Sequence, residues 1–305
     1  MSEDRDLRQD GSLTDPVVPD PGKQDRNRKK RKTARAAASF LITGILLAVL
    51  IVLSVNIGSL KVSPSELFRG LFIERIDDVA AIYDLRFPRI VISLFAGAAV
   101  AVSGVLFQAV LKNPLSDPGI IGISSGAGFV AVLLPAFLPA PYFFSPLFAL
   151  VGGQLALFLR FRLSWGGGLS PLRIILTGVA VSAMFTGLSD ALNSMSGGNS
   201  SGVASIVEGN ITQKTWEDVQ TLLPYVIAGL ILALLFTKTC TLMSLEDKTA
   251  RSLGVNVNLM RILISLVAVL LASISTAVVG AISFLGLIVP HIGRLLVGSD
   301  HRALV

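Results

Sequence analysis

Pro118–Leu159 reads PGIIGISSGAGFVAVLLPAFLPAPYFFSPLFALVGGQLALFL, and none of its 42 residues is charged. Soluble domains carry about 25% charged residues, so a run this long is built for lipid. One helical crossing takes about 20 residues, which makes the run too long for one span and long enough for two. Pro135, Pro139, Pro141 and Pro146 fall near its middle, where proline removes a helical donor and clashes with the preceding turn. The stretch predicts helices over about 119–134 and 143–160, with a tight turn between them.

The same pattern extends in both directions. Charge is cleared from further windows and crowded into the gaps, predicting spans at about 36–57, 88–111, 172–195, 217–240, 259–279 and 281–297. Gly280 supplies the break between the last two. Composition agrees: 52% of residues are apolar, 15% are charged, and mean hydropathy is +0.72. The fold class expected is an all-α polytopic membrane protein of about eight spans occupying residues 36–305.

Residues 1–35 hold almost nothing to bury and read as a disordered, basic tail. Its last ten residues, R-N-R-K-K-R-K-T-A-R from Arg26 to Arg35, carry seven basic side chains. Next to a first span, such a run reads as a cytoplasmic anchor resting on anionic membrane lipid rather than as a nucleic-acid site. With the N-terminus inside, Lys112, Arg160, Arg162, Arg173, Lys238, Lys248, Arg251, Arg261 and Arg294 all fall on inner segments. The outer stretch 190–218 has Lys214 against Asp190, Glu208, Glu217 and Asp218. This is the positive-inside bias. Segment 58–89, with Lys61, Arg69, Arg75, Arg86 and Arg89 beside five acids, is the exception. It is long enough for an amphipathic helix of its own, with Ser63 or Ser65 capping before Glu66.

A single cysteine, Cys240, excludes a disulfide framework or a multi-cysteine metal site, and it reads as a small packed hydrophobe. His291 and His301 lack the neighbouring acids of a metal site. No phosphate-binding loop, nucleophile elbow or H-E-x-x-H helix occurs. The chain therefore reads as a non-enzyme with no cofactor or metal, and any ATP hydrolysis must come from another polypeptide. No ionisable residue lies well inside a span, whereas ion-coupled carriers need one. That speaks against a secondary transporter, the alternative function weighed, and for a pathway lined by small neutral groups.

Two segments stand out. In Asp84–Gly128 the span is rich in small residues (Ala96, Gly97, Ala98, Ala99, Ala101, Ser103, Gly104), which in lipid replace the hydrophobic effect as a reason for close helix packing. This helix is expected at the centre of the bundle. Asn113-Pro114 and Asp117-Pro118-Gly119 then break it, and Gly122, Gly126 and Gly128 loosen the start of the next. Irregular backbone near the membrane is tolerated where protein or a water-filled cavity satisfies it; an ordinary tight loop with a glycine-rich packing face fits the composition equally. In Ser244–Asn258, Ser244 is a plausible N-cap, Glu246 and Asp247 favour a first turn, and Gly254 is a good stop. The result is a short polar helix between spans, either simply solvated or suited to docking a soluble partner. Gly104 and Gly280 each stand ten residues before a proline, which hints at an internal repeat.

L-R-F-P-R (85–89), S-G-V-L-F-Q (103–108), N-P-L-S-D-P-G (113–119) and G-I-S-S-G-A-G (122–128) closely resemble segments of one family. So do L-S-P-L-R-I-I-L-T-G (169–178), T-A-R-S-L-G-V (249–255) and G-L-I-V-P-H-I-G-R-L-L-V-G-S-D-H-R (286–302). The family is that of the permeases of iron–siderophore, haem and cobalamin ATP-binding-cassette (ABC) importers, FecCD-type and similar to the vitamin B12 permease. The resemblance runs from about residue 40 to the end.

It implies the ten-helix type II ABC importer permease fold, of which about eight spans are expected because the C-terminus looks truncated. It implies a multi-pass bacterial cytoplasmic-membrane protein that moves an iron(III)-siderophore, haem or cobalamin. Two cytoplasmic ATP-binding subunits would drive it, and a second permease copy or homologous permease would pair with it. An extracytoplasmic substrate-binding protein would deliver the ligand. By the same resemblance Glu246, Asp247, Thr249, Ala250, Arg251, Ser252, Leu253 and Gly254 match the ATPase-coupling loop. Asn113, Pro114, Asp117, Pro118, Gly119, Gly122 and Gly126 form the helix-break motif. Arg69 and Arg75 are placed for docking the binding protein.

Overall fold

A computed structural model describes residues 21–57, 76–137, 142–164, 171–195 and 209–305, together with Val62, Ser63, Ser65, Glu66, Arg69, Gly70 and Ile73. Its helices are α1 (Pro21–Asn56), α2 (Asp77–Leu85), α3 (Phe87–Leu111), α4 (Ile123–Phe137), α5 (Ser145–Ser164), α6 (Pro171–Met195), α7 (Trp216–Met243), α8 (Asp247–Ser252), α9 (Val257–Val279), α10 (Leu285–Val297) and α11 (His301–Leu304). Six are long and apolar enough to cross a membrane, and stretches of α4 and α10 are shorter apolar helices. The all-helical bundle expected from the charge-free windows is the observed one.

Burial sorts the spans. The most apolar window of α9 is 78% buried and that of α1 is 0% buried, although the two are equally hydropathic. Helix α9 is therefore the axis of the bundle, and α1 lies on its outside. The second span, α3, joins α9 at the core through the small residues read from the sequence. Ser103 Oγ donates to Ala268 O at 2.7 Å, and Ser275 Oγ donates to Ala96 O at 3.4 Å. Helices α4 and α5 pair through glycine: a Cβ on Gly152 would stand 2.1 Å from Gly126 O. Only bare backbone lets the axes approach so closely.

Three expectations change. Helix α1 starts at Pro21, so residues 21–35 of the expected disordered tail have helical backbone. Lys, Arg and Gln are good helix formers, and they continue the span without a stop signal; residues 1–20 of that tail lie outside the described residues. Arg160, read as a loop cation, stands inside α5 at 1% exposure, its guanidinium 5.8 Å from the Phe161 ring centroid. The expected span 281–297 is helical only over its last 13 residues.

That last region is a partial crossing. Gly280 closes α9 at φ 86°, and Phe284 precedes α10 at φ 66°, with non-helical chain between. Ser275 lies level with Ala96 of α3, whereas Gly286 lies against Gly104. The first turn of α10 thus sits about 12 Å along α3 from the level of Ser275, at 1.5 Å per helical residue. At its far end Ser39 Oγ of α1 donates to Leu296 O. Thirteen helical residues span about 20 Å, less than the hydrocarbon core of about 30 Å. Gly104 sits mid-helix and Gly280 at a helix end, so they are not equivalent positions of a repeat.

Candidate functional site

The two segments singled out from the sequence come together at one end of the bundle. Helix α8 is only six residues long, too short to stand alone, and its ends are fixed locally. Val255 N–H donates to Ala250 O at 3.1 Å and Gly254 N–H to Arg251 O at 3.0 Å. This is a Schellman closure, with Gly254 at φ 84° in the left-handed position that glycine fills without strain. Ala250 is fully buried, and Glu246, Thr249, Arg251, Ser252, Leu253 and Gly254 are exposed. One small side chain thus seats the helix, and Leu253, 57% exposed, is presented outward. The expected cap is corrected: Glu246 is the N-cap, and Ser244 ends α7, its hydroxyl donating to Cys240 O at 3.1 Å. The span runs three residues further than its hydropathy suggests, and that turn absorbs Ser244.

Asp247 joins α8 to the bundle. Lys112 Nζ lies 2.6 Å from Asp247 Oδ1, and Arg261 Nη2 lies 3.4 Å from Oδ2. Lys112 Nζ also donates to Leu245 O at 2.5 Å. Hydrogen bonding from Lys112, and then the charges of Arg261 and Lys112, hold the Asp247 carboxyl below the usual carboxylate range against partial desolvation. Lys112 ends α3 in left-handed backbone, φ 49°, a conformation that costs a non-glycine residue about 1–2 kcal/mol. Beside this triad is a cleft of about 480 Å³ walled by Lys112, Phe161, Asp247, Lys248 and Arg261. Sequence reasoning put Asp247 in the site but read Lys112 and Arg261 only as inner-segment cations; they lie 135 residues before and 14 after it, and nothing in the sequence pairs them with it.

The helix-break motif starts at the next residue. Asn113 Oδ1 accepts Leu115 N–H at 3.0 Å, which turns the chain, and Pro114 is exposed. Asp117 is fully buried, and its Oδ1 accepts Gly119 N–H at 2.8 Å and Ile120 N–H at 3.1 Å. A Cβ on Gly286 would stand 2.9 Å from Asp117 Oδ2 and 2.8 Å from Pro118 Cδ. The carboxylate therefore rests on the first turn of α10, where the helix dipole favours negative charge. Gly119 lies beside Asp117 and Ser283. Gly122, at φ 84°, lets the chain turn into α4 close to α6. Gly126 stands apart from this loop, inside α4, as the contact for α5 and α6. Asp117 supplies an acceptor to the backbone of this break, which both readings left open by composition accommodate.

Two features around these helix breaks were not read from the sequence. Gln108 Nε2 donates to Gly286 O at 3.2 Å, and Arg294 donates to Gln108 Oε1. A small cleft lies among Ser124, Ser125, Phe129, Thr186, Ser189 and Ala281, with α4, α6 and the α9–α10 break around it. Broken helices at membrane depth are common at transporter pathways, but serines and threonines scattered over two spans give no periodic signal.

At the opposite end of the bundle, Ser63 forms a reciprocal cap with Glu66: each backbone or hydroxyl donor of Ser63 reaches Glu66 Oε2 at 2.8 Å, and Glu66 N–H donates back to Ser63 Oγ at 3.2 Å. Ser63, not Ser65, is the cap. Arg69 is exposed there, and Arg75 lies outside the described residues. Arg86 Nη1 donates to Val55 O at 2.5 Å, tying the start of α3 to the end of α1.

Comparison with known proteins adds the family. A model described as the FecCD transport family matches residues 46–305. The probable heme-iron transport system permease protein IsdF of Staphylococcus aureus strain Newman is 38% identical over 266 residues, covering 87% of this chain and 80% of its own. The IsdF protein of strain USA300 matches equally. A solved chain described as a metal-chelate type ABC transporter in an inward-facing conformation superposes with a TM-score of 0.70 at 30% identity. That alignment covers 88% of this chain and 84% of the solved one.

Proposed function

The chain belongs to the FecCD transport family and is an ABC importer permease, and from that premise we propose that it carries an iron(III)-siderophore or haem across a bacterial cytoplasmic membrane. Permeases of this kind work with an ATPase and a substrate-binding protein. We place the ATPase against α8, residues Glu246–Gly254, with the N-terminus of α1 on the same, cytoplasmic side. We place the binding protein at the opposite end, near Arg69 and Arg75. A second permease, identical or homologous, completes the pathway, and the basic run Arg26–Arg35 rests on anionic lipid. Residues 113–122, with Gly126 behind them, form the break that shapes the inner end of the pathway.

The observation that carries this reading is α8 itself. It is a short helix fixed from within by Ala250 and Asp247 while its remaining side chains face outward, the arrangement of a docking knob. Family membership displaces the ion-coupled secondary carrier. Haem is favoured by what the named relatives transport, and a siderophore by the broader metal-chelate class of the solved neighbour.

The test is purification of the complex from native membranes in mild detergent, followed by identification of partners and bound ligand. Recovery of an ATPase that is lost on replacing Leu253 and Arg251 by serine supports the α8 dock. Retention of the ATPase in that variant refutes it. Spectroscopy of the co-purified binding protein distinguishes haem from a ferric siderophore by the Soret band.

A further inference from the structure

We propose that Lys112, Asp247 and Arg261 form an ionic clamp that carries movement of α8 into the α3–α10 pair, which makes the three positioning residues for nucleotide-driven transport. The inference rests on the reading of α8 as the ATPase dock and names how that dock is connected.

The argument begins with what α8 lacks. Among its residues Ala250 is the buried one, so packing alone transmits little force from so short a helix. The backbone leads out on both sides, through Ser244–Glu246 to α7 and through Gly254 to α9. The remaining link is Asp247, whose two oxygens take a cation from the end of α3 and a cation from the first turns of α9. One carboxylate thus fixes α8 against two spans at once. The triad is partly exposed, with side-chain exposures of 31% for Lys112, 40% for Asp247 and 26% for Arg261. Exposed ion pairs add about 0–1 kcal/mol to stability, so geometry rather than stability is what this arrangement supplies.

From Lys112 the contacts continue without a slack linker. Lys112 is held in left-handed backbone and also bonded to Leu245 O. Five residues on, the buried Asp117 sits against the first turn of α10. Helix α10 in turn touches α3 backbone to backbone, because a Cβ on Gly104 would stand 2.0 Å from Gly286 O. Two helices in such contact cannot slide independently, since packed interfaces shift between discrete arrangements. Displacing α8 therefore moves the inner end of α3, and α10 with it.

Contiguity by itself does not prove coupling, so the test reads movement. Cys240 is buried and is the chain's one cysteine, so Leu295→Cys on α10, at a position 75% exposed, takes a spin label selectively. The complex with its ATPase subunits is placed in lipid nanodiscs, and the label is read with and without ATP plus vanadate. The expected result is a nucleotide-dependent spectral change in the wild-type background. In Asp247→Asn and Lys112→Gln that change falls by about fivefold or more, the lower range of allosteric coupling, and in Lys112→Gln, which lies outside the dock, ATP hydrolysis persists. Asp247→Glu, which keeps the carboxylate, recovers most of it. A wild-type complex that hydrolyses ATP with no change at Leu295, or an Asp247→Asn complex that responds like wild type, overturns the clamp and leaves the dock standing. Loss of the ATPase from both neutral variants, with no recovery in Asp247→Glu, also overturns it by making the triad a structural support. Absence of any ATPase from the wild-type preparation removes the dock itself.

Discussion

Replacing Gly104 by alanine tests the closest helix contact in the bundle. The added methyl would stand 2.0 Å from the Gly286 carbonyl oxygen and 2.6 Å from its carbonyl carbon and Cα. All three are backbone atoms, so no side chain can swing away. An ordinary carbon–oxygen contact lies at about 3.3 Å, so α10 must retreat by about 1.3 Å from α3 at this point. That retreat stretches the Gln108–Gly286 hydrogen bond from 3.2 Å past bonding range, a loss of about 1 kcal/mol. Overpacking elsewhere adds about 1–3 kcal/mol. The expected total is about 2–4 kcal/mol of destabilisation, reduced by the better helix propensity of alanine, about 1 kcal/mol. Gly97 of the same helix is the control, because nothing lies within 4 Å of a Cβ there, so Gly97→Ala gains the propensity without the clash. Thermal unfolding in detergent, followed by the fluorescence of a thiol dye that reacts with Cys240 only as unfolding uncovers it, should rank Gly104→Ala below wild type and Gly97→Ala level with or above it. Gly104→Ala as stable as Gly97→Ala would refute the backbone contact and with it the rigid α3–α10 pair.

Three further outcomes follow from the same geometry. Asp117→Ala leaves the half-buried Gly119 and Ile120 amides without the acceptor they share, costing about 1–3 kcal/mol; Asp117→Asn keeps an acceptor oxygen and should cost less in the same unfolding assay. The Asp247 carboxyl is held below its ordinary range by Lys112 and Arg261. Its contribution is therefore present above the unfolded carboxylate value, near 3.9, and lost as pH falls through the folded one. Stability should not respond to Asp247→Asn differently at pH 8 and pH 5, and the difference between wild type and variant should shrink below about pH 4. Cys240 is fully buried, so maleimide should modify the folded protein at a negligible rate and label it fully once SDS unfolds it. Rapid labelling in mild detergent would contradict the packing of α7.

Much of the candidate site was legible because its signals are local. Gly254 announced the end of α8, since a left-handed residue is needed to close a helix and glycine adopts it freely. Asn113, Asp117 and their prolines announced a turn, because short polar side chains bond the backbone two residues on. The boundary of α8 was misread at Ser244, where a good capping residue was overridden by one more turn of the preceding span.

The sequence by itself determined that this protein is a bundle of membrane helices. Lipid offers no hydrogen-bond partner, so each charge-free window must satisfy its own backbone as a helix, and the windows can be counted along the chain. It also determined that α3 packs at the centre, because small residues are the means of close approach in lipid. Only the tertiary structure decided which glycine meets which, that 280–297 is non-helical chain followed by a short helix, and that Lys112 and Arg261 converge on Asp247. Hydropathy has the same value for a complete crossing and a broken one. A cation carries no mark of the acid it will meet 135 residues later; that pairing exists only once α3, α8 and α9 have packed.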